Sequence, residues 1–169
     1  MKEKMMDAMQ KFSKAMFVPV LILPIAGILI AIGNVFTNVR LIERFPFLDN
    51  PITTGFGSIL SASLLPILTN LGIIFCVGIA LGLAKKKKAE AAFTALLGYL
   101  VFLYAMNKFM ELRGMLVAAD ALQGSGQALV LGVQVLDMGV FLGIILGIIV
   151  ALIHNLSLIH ISEPTRPRL

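Results

Sequence analysis

The side chains in this sequence that could do chemistry are few, and almost all are uncharged. His154 closes a long apolar run, and a lone imidazole there reads as a helix-end residue rather than a proton carrier. Cys76 stands alone within the apolar string from Ile73 to Ile79. One thiol makes neither a disulfide framework nor a metal site, so a small buried group is expected. Asn34, Ser61, Ser63, Thr69, Asn70 and Thr94 lie inside apolar stretches. Neutral amides and hydroxyls of this kind can hydrogen-bond a hydroxyl-rich neutral ligand such as a sugar, and they can equally join helices. Thr69 and Asn70 interrupt an apolar segment and are the expected substrate-binding pair. No Ser-His-Asp set, paired intramembrane carboxylates or phosphate-binding glycine loop occurs. No charge falls at mid-span, which argues against a proton pump or ion exchanger. No catalytic residue, cofactor or metal is expected.

The elements that hold these groups follow from the spacing of charge. The chain of 169 residues is 59% hydrophobic and 14% charged, against about 25% charged in soluble domains. Charges are absent between Lys14 and Arg40, Asp49 and Lys85, Glu90 and Lys108, and Asp137 and Glu163. A bilayer crossing needs roughly 20 mostly apolar residues, with a lower limit of about 17, and all four gaps can meet it. The expected class is an all-α integral membrane protein with an N-terminal amphipathic helix and about four transmembrane helices. Residues 1–14 place Met5, Met6, Met9, Phe12 and Met16 at helical spacing opposite Lys4, Asp7, Lys11 and Lys14, as an interfacial helix would. The first span, 15–35, is too long for a signal-peptide core and lacks a cleavage pattern, so it is read as retained. Pro19 and Pro24 predict a bend in it. The segment 52–84 is too long for one straight crossing. Pro66, Thr69, Asn70 and Gly72 interrupt it, so it is either a steeply tilted or broken helix, or an outer half-buried helix followed by a crossing from about Leu71 to Ala84. Further spans cover 91–107 and the residues from Met138 onward.

Basic clusters set the orientation. Lys2, Lys4, Lys11 and Lys14 precede the first span, and Lys85, Lys86, Lys87 and Lys88 follow the second. Both are expected in the cytoplasm, with 37–50 and 108–137 outside. Nucleic-acid binding by the lysine run is disfavoured because the run is wedged between spans. In the second outer connection, Met115–Ala119 and Ala128–Leu136 flank Gly124-Ser125-Gly126, which suggests a small external β-hairpin. Gly139, Gly143, Gly147 and Ala151 recur every fourth residue, and Gly78 and Gly82 repeat the spacing. Such ridges let helix backbones approach closely in lipid. The stretch Leu156–Leu169 reads like the translation of a sequencing adapter. It is expected to be non-native, with the true gene continuing past Asn155.

Three strings carry a family resemblance. Phe12-Ser-Lys-Ala-Met-Phe-Val-Pro-Val-Leu-Ile-Leu-Pro-Ile-Ala-Gly27, Asn70-Leu-Gly-Ile-Ile-Phe-Cys-Val-Gly-Ile-Ala-Leu-Gly-Leu-Ala-Lys85 and the run from Asp137 to Asn155 resemble, in order and spacing, the enzyme IIC membrane subunits of the glucose-type phosphoenolpyruvate-dependent sugar phosphotransferase system. The α-glucoside or maltose branch looks closest. Glu90 departs from the small residue usual after the basic turn. The resemblance implies a bacterial inner-membrane subunit of about ten spans with a cytoplasmic N-terminus. It implies homodimers and the inward passage of a sugar, a glucoside or glucose itself, for phosphorylation by an enzyme IIB domain. The family's sugar-binding His and Glu would lie beyond Asn155, and Cys76 lacks the motif of the IIB phosphocysteine. The expected organisation is an interfacial helix at 1–14, the N-terminal transmembrane part of enzyme IIC at 15–155, and a non-native tail at 156–169. The alternatives are a fragment of another secondary transporter and a non-transporting membrane scaffold.

Overall fold

The computed structural model of the chain describes residues 2–161. Its elements are α1 (Lys2–Thr37), α2 (Val39–Arg44), α3 (Pro51–Thr69), α4 (Leu71–Leu83), α5 (Lys88–Leu112), β1 (Gln127–Val130), β2 (Val133–Leu136) and α6 (Gly139–Ile161). Among the described residues, four stretches are long and apolar enough to cross a membrane: Met9–Thr37, Pro51–Thr69, Lys88–Leu112 and Gly139–Leu158. The fold is an all-α integral membrane fold with one small antiparallel sheet. Residues 156–161 continue α6, and the rest of the expected non-native tail, 162–169, lies outside the described residues.

Helix α1 is continuous through residue 14 and contains both Pro19 and Pro24. Near its start Lys11 pairs with Asp7 at 2.6 Å, while Met6 and Met9 are exposed. The side chains of Lys4 and Met5, part of the expected amphipathic faces, lie outside the described residues. The long apolar segment is two helices, not one. The N–H and the side-chain amide of Asn70 both donate to the Pro66 carbonyl, at 3.0 and 2.9 Å, and close α3. Helix α4 follows with 13 residues. At 1.5 Å per residue it is about 20 Å long, short of a hydrocarbon core of about 30 Å. The start of α3 is defined by Asn50, whose side chain accepts from the Ile52 N–H at 3.0 Å, with Pro51 in the first turn.

The chain forms two compact units. One comprises α1 up to Val18 together with α4, α5, the hairpin and α6; the other is Pro19–Asn70. In the second unit α1 and α3 pack at a glycine crossing. A methyl group on Gly57 would lie 2.6 Å from the Gly33 carbonyl oxygen. Beside it, Ser61 Oγ donates to Asn34 Oδ1 at 3.0 Å, and the Phe36 and Phe56 rings meet edge to face at 6.0 Å. Two of the neutral groups noted in the sequence are thus partners across a helix pair.

In the first unit, Cys76, Ala80, Ala95, Tyr99, Leu103 and Leu142 form the core of an α4–α5–α6 bundle, which Val133 and Val135 of the hairpin extend. The hairpin exists, but its turn is not at Gly124–Gly126. Strands β1 and β2 pair from Gln127↔Leu136 to Val130↔Val133 and turn at Leu131-Gly132, where φ is 51° and 80°. Two consecutive positive φ values make the turn whose twist suits a two-residue hairpin. Met115–Ala119 is not a strand. Gln127 Nε2 donates to the Met115 carbonyl at 2.7 Å, and Gln134 Nε2 to the Val117 carbonyl at 2.9 Å. Asn107 on α5 donates to the Gln134 carbonyl at 2.7 Å and ties the hairpin to the bundle.

Leu131 occupies a backbone region that costs a branched side chain about 1–2 kcal/mol and that asparagine tolerates. Leu131→Asn is therefore expected to slow amide hydrogen exchange across β1 and β2 about fivefold, since about 1 kcal/mol corresponds to that factor. Unchanged or faster exchange would mean that Leu131 packing outweighs its backbone strain.

Candidate functional site

The closest helix contact in the first unit is the seam between α4 and α6. A methyl group on Gly143 would run into the Gly72 carbonyl oxygen, with the Gly72 carbonyl carbon at 2.7 Å and Cα at 2.9 Å. One turn further, a methyl group on Gly147 would lie 2.8 Å from the Cys76 carbonyl oxygen. Tyr99 of α5 is buried, with its hydroxyl against Gly72. The Cys76 thiol lies 3.6 Å from the Ala95 carbonyl, in the same core. Gly82 faces Ala15 of α1, whose Cα would be 2.6 Å from an added methyl group. Gly139 has open space around it and a φ of 51° at the start of α6. Gly78 is half-buried on α4. Gly72, the residue against which Gly143 packs, was marked in the sequence only as part of the break near Asn70 and not as a packing position; its four-residue spacing to Cys76 was the available signal for that.

At the other end of the seam, α6 holds the lysine turn. Asn155 Oδ1 accepts from the Lys85 N–H at 2.9 Å, and Asn155 Nδ2 donates to the Leu83 carbonyl at 3.1 Å. One side chain thus satisfies an orphan carbonyl at the end of α4 and a donor of the turn that follows. His154 Nε2 lies 3.2 Å from the Lys86 carbonyl. A carbonyl only accepts, so this nitrogen carries the proton. Lys87 turns the chain with a φ of 51° and pairs with Glu90 at 3.1 Å. Sequence reasoning placed His154 at a helix end but did not connect it, or Asn155, to the lysines.

The expected substrate pair lies at the end of α3. Thr69 Oγ1 donates to the Leu65 and Pro66 carbonyls at 3.4 Å, and Asn70 Nδ2 donates to the Pro66 carbonyl and to Thr69 Oγ1. Both side chains therefore stabilise the helix break itself. Thr94 donates to the Glu90 carbonyl at 2.8 Å within α5. Among the described residues, no three His, Cys, Asp or Glu side chains gather as a metal site.

The first unit is thus a helix bundle with a glycine seam at one end and, at the other, a basic turn held by Asn155 and His154 of α6. The family described as Phosphotransferase system, EIIC matches residues 13–158. The chain belongs to the EIIC family. The match takes in α1 from Ser13 onward, the helix break at Asn70, the lysine turn and α6 as far as Leu158. EIIC proteins are multi-pass membrane subunits, the permease component of a sugar phosphotransferase system.

Proposed function

We propose that this chain is the N-terminal part of a glucose-type EIIC permease, of the α-glucoside or maltose branch, which carries its sugar inward for phosphorylation by enzyme IIB. The family match over residues 13–158 carries this reading. The absence of charged residues from the middle of each span supports it. In this reading the protein sits in the bacterial inner membrane with its N-terminus and the Lys85–Lys88 turn in the cytoplasm, as basic clusters beside spans prefer. It pairs with a second copy, and the family's sugar-binding His and Glu follow Asn155 in the native gene, with 156–169 not native. Thr69 and Asn70, at a helix break where freed backbone groups lie close to polar side chains, are the candidate sugar contacts of this part.

The test uses membrane vesicles carrying the subunit encoded by the complete locus, supplied with phosphoenolpyruvate and the phosphocarrier proteins. Sugar should accumulate as its phosphate, and only when IIB is present. Accumulation of free sugar driven by an ion gradient would assign the chain to another transporter class. In the same vesicles, Asn70→Ala is expected to raise KM about tenfold, the effect of losing one or two net hydrogen bonds to substrate. An unchanged KM would limit Asn70 to closing α3. The chain of residues 1–169 alone should give no saturable calorimetric signal with sugar.

A further inference from the structure

Between α5 and α6, at the end that carries the lysine turn, lies an open cleft of about 220 Å³ lined by Thr94, Val150, Ile153, His154 and Ser157. Its chemistry is divided. Val150 and Ile153 form an apolar wall that continues along exposed Ile149 and Leu152 of α6. His154 stands at the polar end, and the same imidazole holds the Lys86 carbonyl at 3.2 Å. The cleft is therefore tied directly to the basic turn. Lys87 is paired with Glu90, whereas Lys85, Lys86 and Lys88 are exposed and make no ion pair among the described residues. Asn155 fixes the backbone of that turn through two hydrogen bonds. Three unpaired cations thus stand on an ordered turn beside an amphiphilic cleft, at the end of two membrane-spanning helices.

We propose that this cleft binds an anionic phospholipid, with an acyl chain along Val150 and Ile153 and the phosphodiester among Lys85, Lys86 and Lys88. The shared chemistry is a phosphate anion, but the apolar wall distinguishes the sources. A free phosphate has no use for Val150 and Ile153. An acidic protein partner would engage the lysines and leave the cleft empty. A lipid uses both ends, and clustered lysines immediately beside a span attract anionic headgroups. Val150, Ile153, His154 and the lysines suffice for such a ligand.

The test is native mass spectrometry of the full chain in detergent, titrated with phosphatidylglycerol or with phosphatidylcholine of the same acyl chains. Phosphatidylglycerol should be retained at least tenfold better. Thr94→Phe fills the cleft without changing charge and should lower that retention about tenfold. Ile153→Asp, at an exposed position, should do the same if Thr94→Phe fails to fold. The combined Lys85→Gln, Lys86→Gln and Lys88→Gln variant should remove the preference between the two lipids. Inorganic phosphate at millimolar concentration should not displace the lipid. Equal retention of both lipids, or retention unaffected by both cleft variants, would overturn the proposal. Displacement by phosphate alone would assign a free-anion site instead. If the lysine variant lost IIB-dependent phosphorylation but kept its phosphatidylglycerol, the turn would belong to a protein partner.

Discussion

Gly143→Ala is expected to lower the unfolding free energy of the chain in mild detergent by about 3 kcal/mol, the upper end of what an inserted methyl group costs in a packed interior. The size follows from what the methyl group meets. Its neighbours are the carbonyl oxygen, carbonyl carbon and Cα of Gly72, all backbone atoms. A side chain can rotate out of the way; a helix backbone cannot, so α4 and α6 must separate along their length. In lipid or detergent no hydrophobic force compensates, because helix association there depends on close van der Waals packing. Gly27→Ala is the matched control. An added methyl group on Gly27 meets no heavy atom within 4 Å, and alanine is the better helix former by about 1 kcal/mol. Its unfolding midpoint should stay level or rise. Both midpoints can be read from the loss of helical signal on titration with a denaturing detergent. Coincident midpoints for the two variants would show that the Gly72–Gly143 approach does not hold the bundle together.

What the sequence disclosed, and what it concealed, follows from the range of the interactions involved. The spans were legible because their signal is local: long runs without charge between lysine clusters. The break near Asn70 was half legible. Pro66, Thr69, Asn70 and Gly72 marked the place, but a tilted helix and a broken one have the same composition. The break became definite only through the two hydrogen bonds from Asn70 to the Pro66 carbonyl. The hairpin turn was misplaced because Gly-Ser-Gly is a stronger local turn signal than Leu-Gly. The register is set instead by Val133 and Val135, which are buried in the bundle core, a tertiary constraint that overrides turn propensity. The ridge on α6 could be read as a packing surface, but not what it packs against. Its counterpart for Gly143 is Gly72, and Gly139 serves the backbone at the start of α6 instead. The candidate sugar contacts were chosen as polar groups at a break, and the structure gives each of them a local bonding role as well.

Asn155 left no trace in local sequence because its partners are 70 and 72 positions away. Asn155→Ala should therefore have its largest effect on the lysine turn, where trypsin cleavage is expected to accelerate about thirtyfold. The side chain supplies one acceptor and one donor to adjacent backbone groups, and two net hydrogen bonds at about 1 kcal/mol each set an opening free energy of roughly that scale. Proteolysis of a briefly opened segment follows the population of the open form when closing is fast, so the rate should rise in proportion. Global unfolding should move by less, because the Gly72–Gly143 and Cys76–Gly147 contacts of the seam remain. Asn155→Asp separates the two bonds. It keeps the acceptor for the Lys85 N–H, loses the donor to the Leu83 carbonyl and places a carboxylate beside the lysines. Its cleavage rate should fall between those of the parent and Asn155→Ala. His154→Ala removes a second side-chain tie of α6 to the turn and should add to the effect of Asn155→Ala. Cleavage of Asn155→Ala at the parent rate would mean that Lys87 and its pairing with Glu90 order the turn unaided. The turn joins α4 to α5 while α6 holds it from the side, so a loosened turn should let all three helices move relative to one another at this end of the bundle.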